Sequence, residues 1–250
     1  MAQHLLEEFV DQLKRAHGND LVSVILYGSH GRRVALQDNP SIIPPRAGFN
    51  QDILIVLNRV DPVALKRSRP IIEKWREAGN PLPLYIGRDE IGQSADVFPA
   101  EFIDLCRGRL VLAGQDPFEG FQVPEHNLKH QLEYELESKL IRLRTLYMTM
   151  SATPPSLMRL MRDSLVSFSG LFRHVIGLFG REAPPEKGQS ITDLAALLNL
   201  DRSVFNRILT HEEKAQPLRE GEADGLFRDY LLEIQKVLKA VHEYELNKAA

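Results

Sequence analysis

The chain has 250 residues, with 31 Lys and Arg against 34 Asp and Glu, a formal charge of −3, and an apolar share of 43%. That length fits one large domain or two small ones, and the apolar share supplies a packed core and excludes a disordered chain. The first 120 residues hold 14 basic and 16 acidic groups and the rest hold 17 and 18, so neither half carries the basic surplus that a nucleic-acid backbone calls for. No apolar run approaches the ~20 residues of a membrane span, and the opening MAQHLLEEFVDQLK is amphipathic and acidic rather than signal-like. A cytoplasmic protein with no membrane partner is expected. The single cysteine, Cys106, excludes an intrachain disulfide and a CxxC metal site.

Leu5, Leu6, Phe9, Leu13 and Ala16 recur at helical spacing and predict a first helix, stopped by Gly18-Asn19-Asp20. Leu21 to Tyr27 is a β-branched run that breaks at Gly28 and reads as a buried strand. Residues 37–50 hold Pro40, Pro44, Pro45 and Gly48 and read as loop. A second strand is predicted at 53–57, a helix from Asp61-Pro62 through Trp75, a third strand at 82–86 and a short helix at 89–97. Strands are also predicted at 101–105 and 109–113. After Pro124 the texture changes to helix, with Leu128, Leu132, Leu136, Leu140, Leu143 and Tyr147 on one stripe. Pro154-Pro155 precede a second stripe from Leu157 to Phe179, Pro184-Pro185 close it, and helices near 191–199, 201–210 and 223–246 follow. The fold class expected is an α/β domain over 1–120, a mixed sheet with flanking helices, followed by an all-α helical bundle over 121–250.

Two segments point to chemistry. Tyr27-Gly28-Ser29 closes the first strand, where a small Gly-Ser turn lets backbone N–H groups and a hydroxyl approach phosphate oxygens. Asn50-Gln51-Asp52 leads into the second strand, where oxygen ligands at i and i+2 point to one face and can clamp a divalent cation. His30, Arg32 and Arg33 follow the Gly-Ser, and an arginine there can grip a triphosphate bidentately.

The order LYGSHGRR (26–33), NQDILIVL (50–57) and VFPAEFIDL (97–105) resembles the nucleotidyltransferase superfamily that includes DNA polymerase beta, kanamycin nucleotidyltransferase and small bacterial members. The likeness spans roughly residues 5 to 120, and the helical half is similar to the bundle of the kanamycin-type members. The resemblance implies transfer of a nucleoside monophosphate, most often adenylyl, from an NTP–Mg²⁺ complex such as ATP to an acceptor hydroxyl. It implies Gly28, Ser29 and Arg32 as nucleotide-binding residues, Asn50, Asp52 and Glu101 as metal ligands, and Asp52 and Glu101 as catalytic carboxylates. The cleft between the two halves would take the acceptor.

Two departures stand out. Twenty residues separate Ser29 from Asn50, longer than the family spacing, and one of the two paired acids is missing. Either Asn50 and Asp52 form the pair or Asp52 and Leu54 do; the first keeps the apolar run 53–57 in phase. Asn keeps an oxygen but removes a negative charge, which weakens the hold on Mg²⁺. The third acid is Glu101 or Asp104; three residues apart on a strand, they face opposite sides and cannot both serve. The competing reading is therefore a non-catalytic nucleotide-sensing or protein-interaction module on the same fold. The charge balance favours a small-molecule or protein acceptor over nucleic acid and leaves homodimerisation open.

Other motifs are absent or incomplete. G-x-S-x-G fails because Tyr27 stands at its first glycine, and neither a Walker sequence nor G-x-G-x-x-G occurs. His126 and His130 have metal-ligand spacing on a helix but no motif glutamate between them, and are read as surface residues. Arg207 and His211 stand too close for the Arg–His signature of the bundle ribonucleases found beside nucleotidyltransferase domains.

Overall fold

The computed structural model describes residues 2–28, 52–150, 153–182, 184, 187–211 and 218–245. The chain divides into two compact units, Met1–Pro124 and Glu125–Ala250. The predicted loop at 37–50, together with Ser29, Arg32 and Asn50, lies outside the described residues.

In the first unit, helix α1 (Ala2–His17) leads through a 3₁₀ turn into strand β1 (Leu21–Tyr27), and the described chain resumes with β2 (Asp52–Leu57). Helix α2 (Pro62–Glu77), β3 (Leu84–Gly87), α3 (Ile91–Val97), α4 (Pro99–Arg107) and β4 (Leu110–Gly114) follow. The strands form one mixed sheet in the order β3-β2-β1-β4. β1 runs antiparallel to β2 and to β4, while β2 and β3 are parallel.

The continuous apolar runs of β1 and β2 are explained by burial on both faces. Val24, Leu26, Ile53, Ile55 and Leu57 pack with Leu6, Phe9 and Leu13 of α1 and Trp75 of α2. The alternate residues Ile25, Leu54 and Val56 pack on the other face with Ile91 and Ala95 of α3, Phe102 and Leu105 of α4, and Phe118. Asp61 caps α2 through Oδ1, which accepts from the N–H groups of Val63 (2.9 Å) and Ala64 (2.8 Å). Such caps satisfy donors the helix leaves open.

One predicted strand is corrected. Residues 101–105 belong to helix α4, not to a strand. Pro99 at the first turn presets the helical φ, and Phe102 and Leu105 are buried at a spacing of three, which a strand's alternation would not bring to one face. Phe102 is held edge-on against Phe118, with centroids 5.9 Å apart.

The second unit is helical: α5 (Glu125–Thr149), α6 (Pro154–Leu178), α7 (Lys187–Leu198), α8 (Arg202–Thr210) and α9 (Glu220–Glu243). Its core takes Leu132, Leu136 and Leu140 from α5 and Leu165, Phe168 and Phe172 from α6, with Phe205 and Tyr230 from α8 and α9. Lys129, near the start of α5, donates to the carbonyls of His242 (3.0 Å) and Tyr244 (2.9 Å), so α5 and α9 run antiparallel. No described helix is long and apolar enough to cross a membrane.

Candidate functional site

The end of β1 and the start of β2 face each other directly. The antiparallel register pairs Tyr27 with Asp52, and the next residue, Gly28, turns away at φ +76°. That value is open to glycine at little cost and strained for other residues. A Cβ added to Gly28 would lie 2.8 Å from Asp52 Oδ2, so the carboxylate occupies the space that glycine leaves. The strand end thus brings bare backbone and one carboxylate together.

Parity along β2 sets the direction of Asp52. It shares a face with Leu54 and Val56, the face covered by α3 and α4, and Tyr27 packs on that same side. Asp52 is half-buried, and burial raises its carboxyl above the usual range. It has no hydrogen bond or ion pair among the described residues. The Tyr27 hydroxyl is pushed up to about 12, first by burial and then by the negative charge of Asp52. Both effects describe a carboxylate drawn away from water with little local compensation, an environment that a cation would relieve. Tyr27 was legible only as a neighbour of the Gly-Ser; its position opposite Asp52 follows from the register.

The donor set fits a metal site only in part. Among the described strand residues, Asp52 is the one carboxylate: β1 reads LVSVILY, β3 LYIG and β4 LVLAG. The expected third acid comes from no strand. Glu101 sits exposed in the first turn of α4, and Asp104 lies one turn on, so on this helix the two share a face rather than opposing each other. Among the described residues no three His, Cys, Asp or Glu side chains gather in a metal-binding group. His126 and His130 are both exposed on α5, and His130 Nδ1 lies 3.3 Å from Glu133. One carboxylate beside phosphate oxygens can help seat a single Mg²⁺, whereas the pair of metals that a transfer reaction uses needs more.

A cavity of about 770 Å³ in the same unit lies between α2 and β3, lined by Leu65, Lys66, Ile72, Leu82 and Tyr85 among others. None of its lining residues is Gly28, Asp52 or Glu101. Ser68 also lines it, and its Oγ is joined to Nε2 of the buried His17 by a 2.8 Å hydrogen bond. The pair satisfies two polar groups that tie α1 to α2.

The chain matches no protein-family profile, and no curated protein shows significant sequence similarity to it.

Proposed function

We propose that the N-terminal unit is a nucleotidyltransferase-type module that binds a nucleoside triphosphate with Mg²⁺ and has weak or no transfer activity. The observation that carries this reading is the close approach of Gly28 and Asp52. A left-handed glycine clears the backbone for phosphate oxygens, while the adjoining carboxylate lacks a partner among the described residues. Gly28 and Ser29 would receive the phosphates, with the Arg32 guanidinium as a bidentate grip on them. Asp52 would share the nucleotide's Mg²⁺ with the phosphate oxygens, with Asn50 as a neutral oxygen donor. When bound, the ion neutralises phosphate charge. The described strands supply no second carboxylate, which is why binding is placed ahead of transfer.

Titration calorimetry of the full chain with ATP and GTP, with and without Mg²⁺, tests the proposal. Binding in the micromolar to sub-millimolar range, weakened at least about tenfold by Asp52→Ala, is the expected result. Binding absent at millimolar nucleotide ends the reading. Pyrophosphate release assayed with small-molecule and protein acceptors separates the module from the enzyme. The active transferase is the second reading, favoured by the raised carboxyl of Asp52, since a desolvated carboxylate gains most from a cation. Turnover abolished by Asp52→Ala would establish it. Asn50→Asp should tighten Mg²⁺ binding under either reading.

A further inference from the structure

We propose that the outward face of α5 is a self-association surface, on which a second copy of this chain lies antiparallel about a two-fold axis passing near Ile141. The proposal is independent of the nucleotide reading.

Helix α5 already buries a complete stripe inside its own unit, through Leu128, Leu132, Leu136, Leu140 and Leu143. It carries a second apolar stripe that points outward. Tyr134, Ile141 and Met148 stand seven residues apart and are 75%, 54% and 77% exposed. A seven-residue repeat keeps side chains on one seam of a helix and is the spacing by which two helices pair. Ser138 and Thr145 stand four residues after Tyr134 and Ile141, and their small size lets a second helix approach closely. Part of this seam, with Leu238 and Lys239 of α9, lines a groove of about 740 Å³ between the two helices.

The charges choose the occupant. Along α5 the acids Glu133, Glu135 and Glu137 precede the bases Lys139, Arg142 and Arg144, with Lys139 just ahead of the centre. Turned end for end about Ile141, the helix brings Glu137 beside Arg144 of the second copy, whereas parallel pairing sets like on like. Glu137 and Arg144 both line the groove, and neither has an ion pair or hydrogen bond among the described residues. An axis at Ile141 places each of them within one residue of its opposite number on the second copy. The same axis sets Ile141 against its own mate and Tyr134 against Met148 of the second copy, a ring-to-thioether contact that is favourable. Each copy's α5 then lies in the other's groove, giving a four-helix arrangement of two α5 and two α9 helices. The surface is its own complement, as an isologous interface requires.

Analytical ultracentrifugation of the full chain from about 1 to 200 µM reads the association directly. The expected result is a concentration-dependent dimer that Ile141→Glu weakens at least about tenfold, with unchanged circular dichroism because the side chain is mostly exposed. Glu137→Arg and Arg144→Glu should each weaken the dimer, and the double variant should restore it. In a Cys106→Ser background, Ile141→Cys should oxidise to a covalent dimer. Tyr134→Cys should not, because its two copies would stand about 21 Å apart along the axis at about 1.5 Å per residue. A chain monomeric throughout this range overturns the proposal. So does a dimer untouched by Ile141→Glu, or one in which Tyr134→Cys crosslinks as readily as Ile141→Cys.

Discussion

Asp52 Oδ2 stands where the side chain of residue 28 would begin: a Cβ on Gly28 would meet it at 2.8 Å. The pairing of Tyr27 with Asp52 produces this contact, because the last residue pair of the β1–β2 ladder brings the start of β2 beside the turn that ends β1. Backbone freedom at 28 and the carboxylate at 52 are therefore one feature, not two. Substitution at either position tests the other.

Gly28→Ala should cost about 1–2 kcal/mol, mainly from holding a non-glycine residue at φ +76°. The clash itself is relieved by turning the carboxylate, so nucleotide binding should suffer more than stability. Gly114→Ala is the contrasting case. It has φ +82°, and its Cβ would lie 2.0 Å from the backbone carbonyl oxygen of Val22, which cannot turn aside. Its loss should be larger, about 3 kcal/mol or more. Urea denaturation followed by the fluorescence of Trp75, the chain's one tryptophan, measures both. Equal losses at the two positions would contradict this ranking.

Asp52→Asn should stabilise the free protein at neutral pH. The folded carboxyl titrates above its ordinary value of 3.8 because burial disfavours the charged form. The native state then binds the proton more tightly than the unfolded chain does. Stability from this group is complete below the unfolded value and is lost as pH rises through the folded one. The neutral amide avoids that loss. Its urea midpoint should exceed the wild type's at neutral pH, and the gap should close as pH falls below the unfolded value. Mg²⁺–nucleotide binding should weaken in the same variant, which distinguishes a functional carboxylate from a merely unfavourable one.

Much of this architecture was legible in the sequence because its signals were local. The runs at 21–27 and 53–57 are apolar throughout, which two-sided burial requires, and the bundle helices announce themselves by stripes at three- and four-residue spacing. Residues 101–105 look strand-like when taken alone, although they lie within the helix Pro99–Arg107. Pro99 at the first turn and the spacing of Phe102, Leu105 and Cys106 carried the helical signal. The Asp52 environment lay beyond reach, since its place beside Tyr27 and its partial burial follow from a strand register that only the tertiary structure sets.

Arg109 and Asp116 bracket β4, and their clamp should dominate the stability of its surroundings. Arg109 donates from Nε to Asp116 at 2.9 and 3.0 Å, from Nη2 to the Phe118 carbonyl at 3.1 Å, and from Nη1 to the Cys106 carbonyl. The side chains are 18% and 27% exposed. Burial alone would raise the Asp116 carboxyl, but the Arg109 hydrogen bonds and charge and the Phe118 N–H together hold it below its usual range. Its contribution is thus present above the unfolded value and fades as pH falls through the lower folded one. Arg109→Ala should cost roughly 2–4 kcal/mol at neutral pH, with the difference shrinking in acid. Arg109→Lys should recover less than half, because an ammonium cannot span the same acceptors in a plane. Trp75 fluorescence in urea at several pH values checks both points.

In the helical unit the corresponding position is Glu233, a carboxylate on α9 that is only 6% exposed. Its Oε2 accepts from the Asp201 backbone N–H at 3.0 Å and its Oε1 from Lys236 Nζ at 2.7 Å. Asp201 in turn caps α8, accepting from the Ser203 N–H at 2.9 Å. Removing the carboxylate leaves a backbone donor unpaired at the very residue that starts α8, so Glu233→Ala should cost about 2–3 kcal/mol. Glu233→Gln keeps an acceptor for Asp201 and loses only the charge facing Lys236, whose side chain is half exposed, so about 1 kcal/mol is expected. Far-UV circular dichroism during urea unfolding reads the helical unit and should order the two variants in this way. A Gln variant as damaging as Ala would place the stabilisation in the ion pair with Lys236 rather than in the support that α9 gives to the start of α8.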